Sequence, residues 1–276
     1  MDQTSGDPEV KKDPTDLAKR IDELFEARTT PPETTMLIDM VMEGLDQGTI
    51  KVVEKIKGKW ETNAWVKKAI LLYFRISPVK KMDEGHFFDK IPLRTFSAEA
   101  HRIVPYSSVR RGAYVAPKVV IMAPSFVNIG AYVDEGAVVD SLVLVGSCAR
   151  IGKNVQIGAG TIIGGVLEPP EGTPVIVEDN AFISGSCGIY EGCIVEANAV
   201  IGAGTVITPR TPIVDIKTGE EFFGRVPENA VVVPGGRPKK FGDREYVLQT
   251  PLIINRRDPS VSAKQSLEDS LCQFNS

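Results

Sequence analysis

The chain is poor in histidine: His86 and His101 are the only two in 276 residues. Metal hydration chemistry that rests on three zinc-bound imidazoles therefore lacks its ligands. Cysteine is also scarce. Cys148, Cys187, Cys193 and Cys272 fall at no metal-like spacing, which predicts reduced thiols and a cytoplasmic protein. No run of eighteen apolar residues occurs, and Met1 to Ser5 carries no charged-then-apolar leader. Neither a membrane span nor a secretion signal is expected. Charge of one sign is lacking as well: 32 Lys and Arg face 36 Asp and Glu, a net −4, so nothing points to nucleic acid as a partner. The 42% hydrophobic content suffices for a core and excludes disorder over most of the chain.

What the sequence does have is a repeat. Ile or Val occupies 103, 109, 115, 121, 127, 133, 139, 145, 151, 157 and 163, a strict spacing of six. The run breaks at residues 168–174 (Glu-Pro-Pro-Glu-Gly-Thr-Pro) and resumes in a new phase at Val177, Ile183, Ile189, Val195, Ile201, Ile207 and Ile213. Four residues after each of these, save Ile163 and Ile213 at the ends of the two runs, sits a small or narrow side chain, such as Ala113, Ser125, Ala149, Cys187 or Cys193. An inward aliphatic residue every six, followed by a small inward one, lets the chain turn a corner after each short strand. β-Branched side chains suit those strands. One repeat cannot bury its apolar face alone, so the coils must stack into a β-solenoid of roughly six coils at three hexads each.

The flanks differ. Asp13-Pro14 before Leu17, Ile21, Leu24 and Phe25 reads as an N-cap, an N1 proline and a helical stripe. A second helix opens at Pro32-Glu33 and ends near Gly44 or Gly48. Ile50 to Ile56 reads as a strand, Lys57 to Lys59 as a turn, and Asn63 to Ile76 as a third helix. Gly219 to Arg257 alternates around Gly235-Gly236 and Gly242-Asp243, which predicts short strands. From residue 258 onward the polar tail reads as a loose helix or partial disorder. The expected organisation is a helical N-terminal domain over 1–100, the β-helix over 101–235 with its loop at 168–174, and a C-terminal strand extension and tail over 236–276.

Two function classes fit such a solenoid: a purely structural scaffold, and coenzyme A-dependent acyl transfer with the long pantetheine arm along a flat flank. In the second, no histidine base lies within the repeat, so a carboxylate or the substrate itself must take the proton. Cys187 and Cys193 occupy small interior positions and read as packing residues, not nucleophiles. Gly158-Ala159-Gly160 and Gly202-Ala203-Gly204 lack the strand–helix context of a dinucleotide fingerprint and read as corner glycines.

A run of segments resembles the 2,3,4,5-tetrahydropyridine-2,6-dicarboxylate N-succinyltransferase family over about residues 40–235. Its carriers include residues 65–69 (Trp-Val-Lys-Lys-Ala), 102–105 (Arg-Ile-Val-Pro), 126–136 (Phe-Val-Asn-Ile-Gly-Ala-Tyr-Val-Asp-Glu-Gly), 163–169 (Ile-Gly-Gly-Val-Leu-Glu-Pro) and 224–227 (Gly-Arg-Val-Pro). The resemblance implies a left-handed parallel β-helix, although the general crossover rule favours the right hand. It also implies a homotrimer with active sites between subunits and no permanently bound cofactor. The co-substrate would be acetyl-CoA or succinyl-CoA, and the acyl group would pass directly to the amine of ring-opened 2-amino-6-oxopimelate.

The resemblance also implies that Arg102 grips a substrate carboxylate, for which a guanidinium is suited. Asp140 matches an active-site aspartate, both substrate-binding and catalytic. Arg225, Lys239 and Lys240 are candidates for the coenzyme A phosphates. Three departures stand out: Gly188 where the family has a glutamate, and Ser186 and Pro212 where it has arginines. Fewer cations disfavour a donor that ends in a carboxylate. The sequence therefore leans to acetyl-CoA in a specialised branch, such as a tabtoxin-like β-lactam pathway. Succinyl-CoA in the diaminopimelate and lysine pathway is the alternative.

Overall fold

Each hexad position except Ile213 closes a two-residue strand in the computed structural model, which describes residues 14–27, 30–82 and 86–275. Arg102–Ile103, Ser108–Val109 and Tyr114–Val115 begin three parallel stacks, and every strand pairs with one in the next coil. The register (Tyr114 beside Tyr132, Val120 beside Val138) places eighteen residues in a coil. Face A holds Arg102–Ile103, Val120–Ile121, Val138–Val139, Gln156–Ile157, Phe182–Ile183, Val200–Ile201 and Ala230–Val233. Face B runs from Ser108–Val109 to Val206–Ile207 and face C from Tyr114–Val115 to Arg225–Val226, each six strands deep. That depth matches the expected six coils.

Like stacks on like inside. Val115, Val133, Ile151, Val177, Val195 and Val226 form one fully buried column, with Ala113, Ala131, Ala149, Val175 and Cys193 at the corner before it. The corners share one backbone device: residues 106, 112, 118, 130, 136, 142, 148, 154 and 160, then 180, 186, 192, 198 and 204, all have φ between 55° and 83°. Glycine and asparagine fill most of these places, being the residues that enter the left-handed region most cheaply. Gly160 and Gly204 are such corners. Gly158 is not: there a Cβ would lie 2.6 Å from the Gly185 nitrogen, so glycine serves close coil-to-coil approach.

Ile213 departs from the expected repeat. It is buried, but its strand, Pro212–Asp215, forms a hairpin with Glu221–Phe223 that leaves the coil. Arg225–Val226 takes the face C position instead, and Val232 continues face A. The period alone could not show that the chain steps out of the stack for one hairpin and returns.

The N-terminal helices are α1 (Pro14–Glu26), α2 (Glu33–Gln47) and α3 (Ala64–Ile76). The N-cap expected at Asp13 lies outside the described residues. Gly48 ends α2 in the left-handed conformation, at φ 71°. The expected strand is half of a hairpin, Val53–Ile56 with Lys59–Thr62, and Lys80–Met82 pairs with Phe87–Asp89. This region is thus less purely helical than its apolar stripes imply. Ile38, Met42, Ile70 and Leu72 pack with Ile129 and Cys148 of the solenoid. Asp46 accepts the Gly112 N–H at 2.8 Å, and Arg111 bridges to Asp39 at 3.0 Å and to the Tyr73 hydroxyl at 3.1 Å.

The C-terminal segment returns to the solenoid. Gly236–Phe241 and Arg244–Gln249 form a hairpin around Gly242, and Leu252–Arg256 pairs antiparallel with Ala230–Val233. The tail is an ordered helix, α4 (Ala263–Asn275). Its stripe Ala263, Leu267 and Leu271 covers Val200, Val231, Val233 and Ile254 at the end of face A. The polar composition hid that one-sided stripe. No described helix is long and apolar enough to cross a membrane.

Candidate active site

Face C is occupied. The hairpin Val53–Ile56/Lys59–Thr62 lies against it, with Trp60 donating to Glu178 at 2.7 Å and Lys55 pairing with the same carboxylate at 2.7 Å. Arg150 lies on the Tyr132 ring, 4.0 Å from its centroid, and pairs with Asp134 at 3.2 Å. Faces A and B are left for ligands or partners over most of their length. Val120, Val138, Phe126 and Leu144 are half-buried there, Ile162 and Leu142 exposed.

Arg102 and Asp140 both lie on face A. Arg102 heads its first strand, exposed, and its guanidinium pairs with no described residue. Asp140 follows Val139 at the corner of the third strand, where its backbone N–H donates to the Ile157 carbonyl at 3.0 Å. One carboxylate oxygen accepts the Ser141 N–H at 2.7 Å, and the other makes no hydrogen bond to a described residue. The carboxylate is thus oriented, yet keeps an oxygen for a ligand. Two strand spacings, about 10 Å, separate the residues along the solenoid axis. They share a face but do not touch, so a ligand held by both would bridge the gap that the arginine side chain leaves.

Below Asp140 runs a ledge of small residues at the corner between faces A and B. Gly158, Ala159 and Gly160 lie one coil down, then Ser184, Gly185 and Ser186, then Gly202, Ala203 and Gly204. Ala159, Ser186, Ala203 and Gly204 are exposed. The ledge ends beside Gly235 and Gly236, where the hairpin Gly236–Phe241/Arg244–Gln249 leaves the solenoid. Such a flank admits a long, thin ligand with its backbone groups in reach.

Gly188 is buried on face B under the ring of Tyr190, and an added Cβ would lie 2.8 Å from Tyr190 Cε2. Motif matching finds the glycine but not the ring that fills its place. A tyrosine two residues after a glycine in a strand is the only signal, since i and i+2 share a face. Ser186 is an exposed corner residue with φ 58°, and Pro212 begins the hairpin strand that leaves the coil.

The three candidate phosphate ligands lie apart. Arg225 is on face C and pairs with Glu196. Lys239 and Lys240 are exposed on the C-terminal hairpin, and as sequence neighbours in a strand they point to opposite faces. Burial pushes the Cys193 thiol up to about 12 and raises that of Cys187. Both donate to backbone carbonyls, at 3.7 and 3.3 Å, so they fill the core as thiols. Among the described residues no group of three or more His, Cys, Asp or Glu side chains is placed to hold a metal ion.

Comparison with known proteins accords with this architecture. Residues 16–76 match the family model for the tetrahydrodipicolinate N-succinyltransferase N-terminal region, and 174–209 match the bacterial transferase hexapeptide model. A 2,3,4,5-tetrahydropyridine-2,6-dicarboxylate N-succinyltransferase from Acinetobacter baylyi is 43% identical over 256 residues, covering 90% of this chain and 93% of that protein. The enzyme of the same name from Proteus mirabilis is 46% identical over 270 residues, covering 92% and 97%. A crystal structure from Campylobacter jejuni, assigned as a 2,3,4,5-tetrahydropyridine-2-carboxylate N-succinyltransferase, superposes with a TM-score of 0.53 over 85% of this chain and 70% of that one. At 16% identity it speaks for the fold alone. The chain belongs to the tetrahydrodipicolinate N-succinyltransferase family and is an acyltransferase of that family.

Proposed function

We propose that the protein transfers a succinyl group from succinyl-CoA to the amine of ring-opened tetrahydrodipicolinate, in the diaminopimelate route to lysine. What carries this reading is the identity of 43–46% with N-succinyltransferases over about nine-tenths of both chains. Their names favour succinyl over the acetyl donor and β-lactam branch expected from the sequence. One observation keeps acetyl-CoA as a second reading: Tyr190 fills the space beside Gly188, and neither Ser186 nor Pro212 brings a cation to the corner below Asp140. Mass analysis of the product from tetrahydrodipicolinate with each acyl-CoA, with kcat/KM for both donors, tests the reading. A preference for acetyl-CoA overturns it.

In the proposed mechanism the amine attacks the thioester carbonyl, an N–C bond forms, the C–S bond breaks, and coenzyme A leaves as the thiolate. The amine must shed a proton, and the open oxygen of Asp140 is the group placed to take it. Arg102, exposed and unpaired among the described residues, grips a carboxylate of the acceptor. The pantetheine arm lies along the glycine-rich ledge. Faces A and B have little concavity in one chain, so the pocket closes against neighbouring subunits of a homotrimer in the cytoplasm. The solenoid is left-handed. A fully active monomer by light scattering at micromolar concentration would refute the interfacial site.

A further inference from the structure

Three successive corners of the solenoid begin with an Asn or Asp side chain set in the same way. Asn128, Asp134 and Asp140 each follow the last strand residue of one face. Each accepts the next backbone N–H with its own side chain: that of Ile129 at 2.9 Å, Glu135 at 2.9 Å and Ser141 at 2.7 Å. The first two are also secured from outside. Arg110 donates to the Asn128 side chain at 3.3 Å, and Arg150 pairs with Asp134 at 3.2 Å. Their turns close directly, the Ala131 N–H donating to the Asn128 carbonyl at 3.2 Å and the Ala137 N–H to the Asp134 carbonyl at 3.3 Å.

Asp140 has neither support. Its carboxylate joins no ion pair among the described residues. The hydroxyl of Ser125, one coil above, is inserted into its turn: it donates to the Asp140 carbonyl at 2.7 Å and accepts the Val143 N–H at 3.2 Å. Ser125 is buried at the inward corner position. Through the first five coils the equivalent positions of the other two corners hold only alanine, valine or cysteine. A hydroxyl in such a place is costly unless it is hydrogen-bonded, and here it both donates and accepts.

The bridge bears on one peptide unit. The Asp140 C=O and the Ser141 N–H belong to the same plane and point in opposite directions. Ser125 holds the carbonyl inward, which turns the N–H outward to the carboxylate. The Asp140 N–H is held in turn by the Ile157 carbonyl at 3.0 Å, so the residue is fixed on both sides of its Cα. Leu142 completes the turn at φ 61°, a conformation that disfavours leucine and persists only where neighbours impose it. An arginine partner would hold the carboxylate equally well, but would occupy its open oxygen and weaken it as a base. A hydroxyl on the backbone holds the same side chain from behind and leaves that oxygen free.

We propose that Ser125 is a positioning residue for the acyl transfer: its buried hydroxyl fixes the Asp140–Ser141 peptide plane and so holds the open carboxylate oxygen of Asp140 in place for the acceptor amine. This rests on the reading of Asp140 as the base, and the test separates the two.

The test is a kinetic cycle on the full chain: wild type, Ser125→Ala, Asp140→Asn and the double variant, each with succinyl-CoA and with acetyl-CoA. Alanine fits such a corner, as Ala131 and Ala149 do, and lets the Val143 N–H close directly on the Asp140 carbonyl, so the fold should survive. Misplacing a reacting group by about 1 Å costs on the order of a hundredfold. Ser125→Ala should accordingly lower kcat about ten- to a hundredfold, with KM for both substrates little changed. In the Asp140→Asn background the same substitution should cost almost nothing further, because its effect passes through the carboxylate. Ser125→Thr should restore most of the loss. Thr161 already makes the same two bonds two coils down, donating to the Ser184 carbonyl at 2.9 Å and accepting the Cys187 N–H at 3.2 Å. Ser107→Ala, at the same place one coil up, removes a hydroxyl that bonds no described residue and should leave kcat unchanged. Near-normal kcat in Ser125→Ala beside a slow Asp140→Asn overturns the positioning role and leaves the base standing. An equal loss in both backgrounds overturns it too, since Ser125 would then act other than through Asp140. A fully active Asp140→Asn sinks the base reading, and the positioning role with it.

Discussion

The Tyr190 ring lies over Gly188 so closely that a methyl group there would stand 2.8 Å from Cε2 and 3.2 Å from the hydroxyl. Gly188 has no left-handed φ, so the backbone admits alanine and the conflict lies with the ring alone. Gly188→Ala should then cost roughly 1–3 kcal/mol, the range for overpacking a filled site. Tyr190→Ala should relieve most of that cost. Chemical unfolding of the two single variants and the double should give a coupling of at least about 0.5 kcal/mol. Additive effects would mean that the ring does not fill the space over Gly188.

Asp140→Asn should lower kcat by about 10²–10⁴-fold, the usual worth of a positioned base, with little change in KM. Asparagine can still accept the Ser141 N–H, so the loop geometry is preserved and the loss reports the proton transfer. Arg102→Ala should instead raise KM for the acceptor about tenfold or more. Steady-state kinetics over pH 6–9 check both. Near-normal turnover of the first variant, or an unchanged acceptor KM in the second, would remove that residue from the mechanism.

The solenoid is legible in the sequence because its physics is local and periodic. One buried β-branched residue per six, repeated over more than a hundred residues, leaves a record that survives the phase break at residues 168–174. The excursion at Pro212–Asp215 is not legible, because Ile213 is buried in either arrangement. Helix α4 escapes notice for another reason: its apolar stripe is narrow, and its worth depends on Val200 and Val231, which no sequence window contains. The site divides the same way. Arg102 and Asp140 fall on one face because 38 residues are two coils plus two. The neighbours Lys239 and Lys240 part company because strand side chains alternate, a distinction that charge counting misses.

Glu178 docks the N-terminal hairpin on face C. Burial pushes its carboxyl up, but the Lys55 ammonium, the Trp60 indole N–H and the Ala197 N–H together hold it below the ordinary carboxylate range. A carboxyl depressed in the folded state contributes stability above its unfolded pKa, about 4.3, and loses it as pH falls through the folded value. Trp60 fluorescence, read in a Trp65→Phe background, should thus be constant from pH 7 to about 5 and shift to the red below about pH 4. Glu178→Gln should show the shifted signal already at pH 7 and lose about 1–3 kcal/mol. An unshifted spectrum in that variant would mean that packing alone docks the hairpin.

Lys67 of α3 is wholly buried, and its ammonium donates to the Gly172 carbonyl at 2.5 Å and more weakly to that of Pro169 at 3.5 Å. It therefore ties the insertion after Ile163 to the N-terminal helices. Burial lowers its pKa, against which the nearby Cys148 and Glu171 act only in part. Proton affinity is weaker in the folded state, so Lys67 makes stability rise with pH between its folded value and about 10.4. Lys67→Met should abolish that rise. At pH 7 two effects oppose each other: the variant removes a buried charge, which stabilises, and orphans two carbonyls, which costs about 1–3 kcal/mol. Pro169 is exposed and Gly172 half-buried, so water can replace the ammonium and the cost falls at the low end. Global stability should change by no more than about 1 kcal/mol, while the loop loosens. The reporter is the Gly172 amide, which donates to the Pro169 carbonyl at 3.0 Å. Its hydrogen exchange should quicken about tenfold or more in Lys67→Met, with core amides such as that of Val133 unchanged. Equal protection of Gly172 in both proteins would show that the loop holds itself and that Lys67 merely fills space.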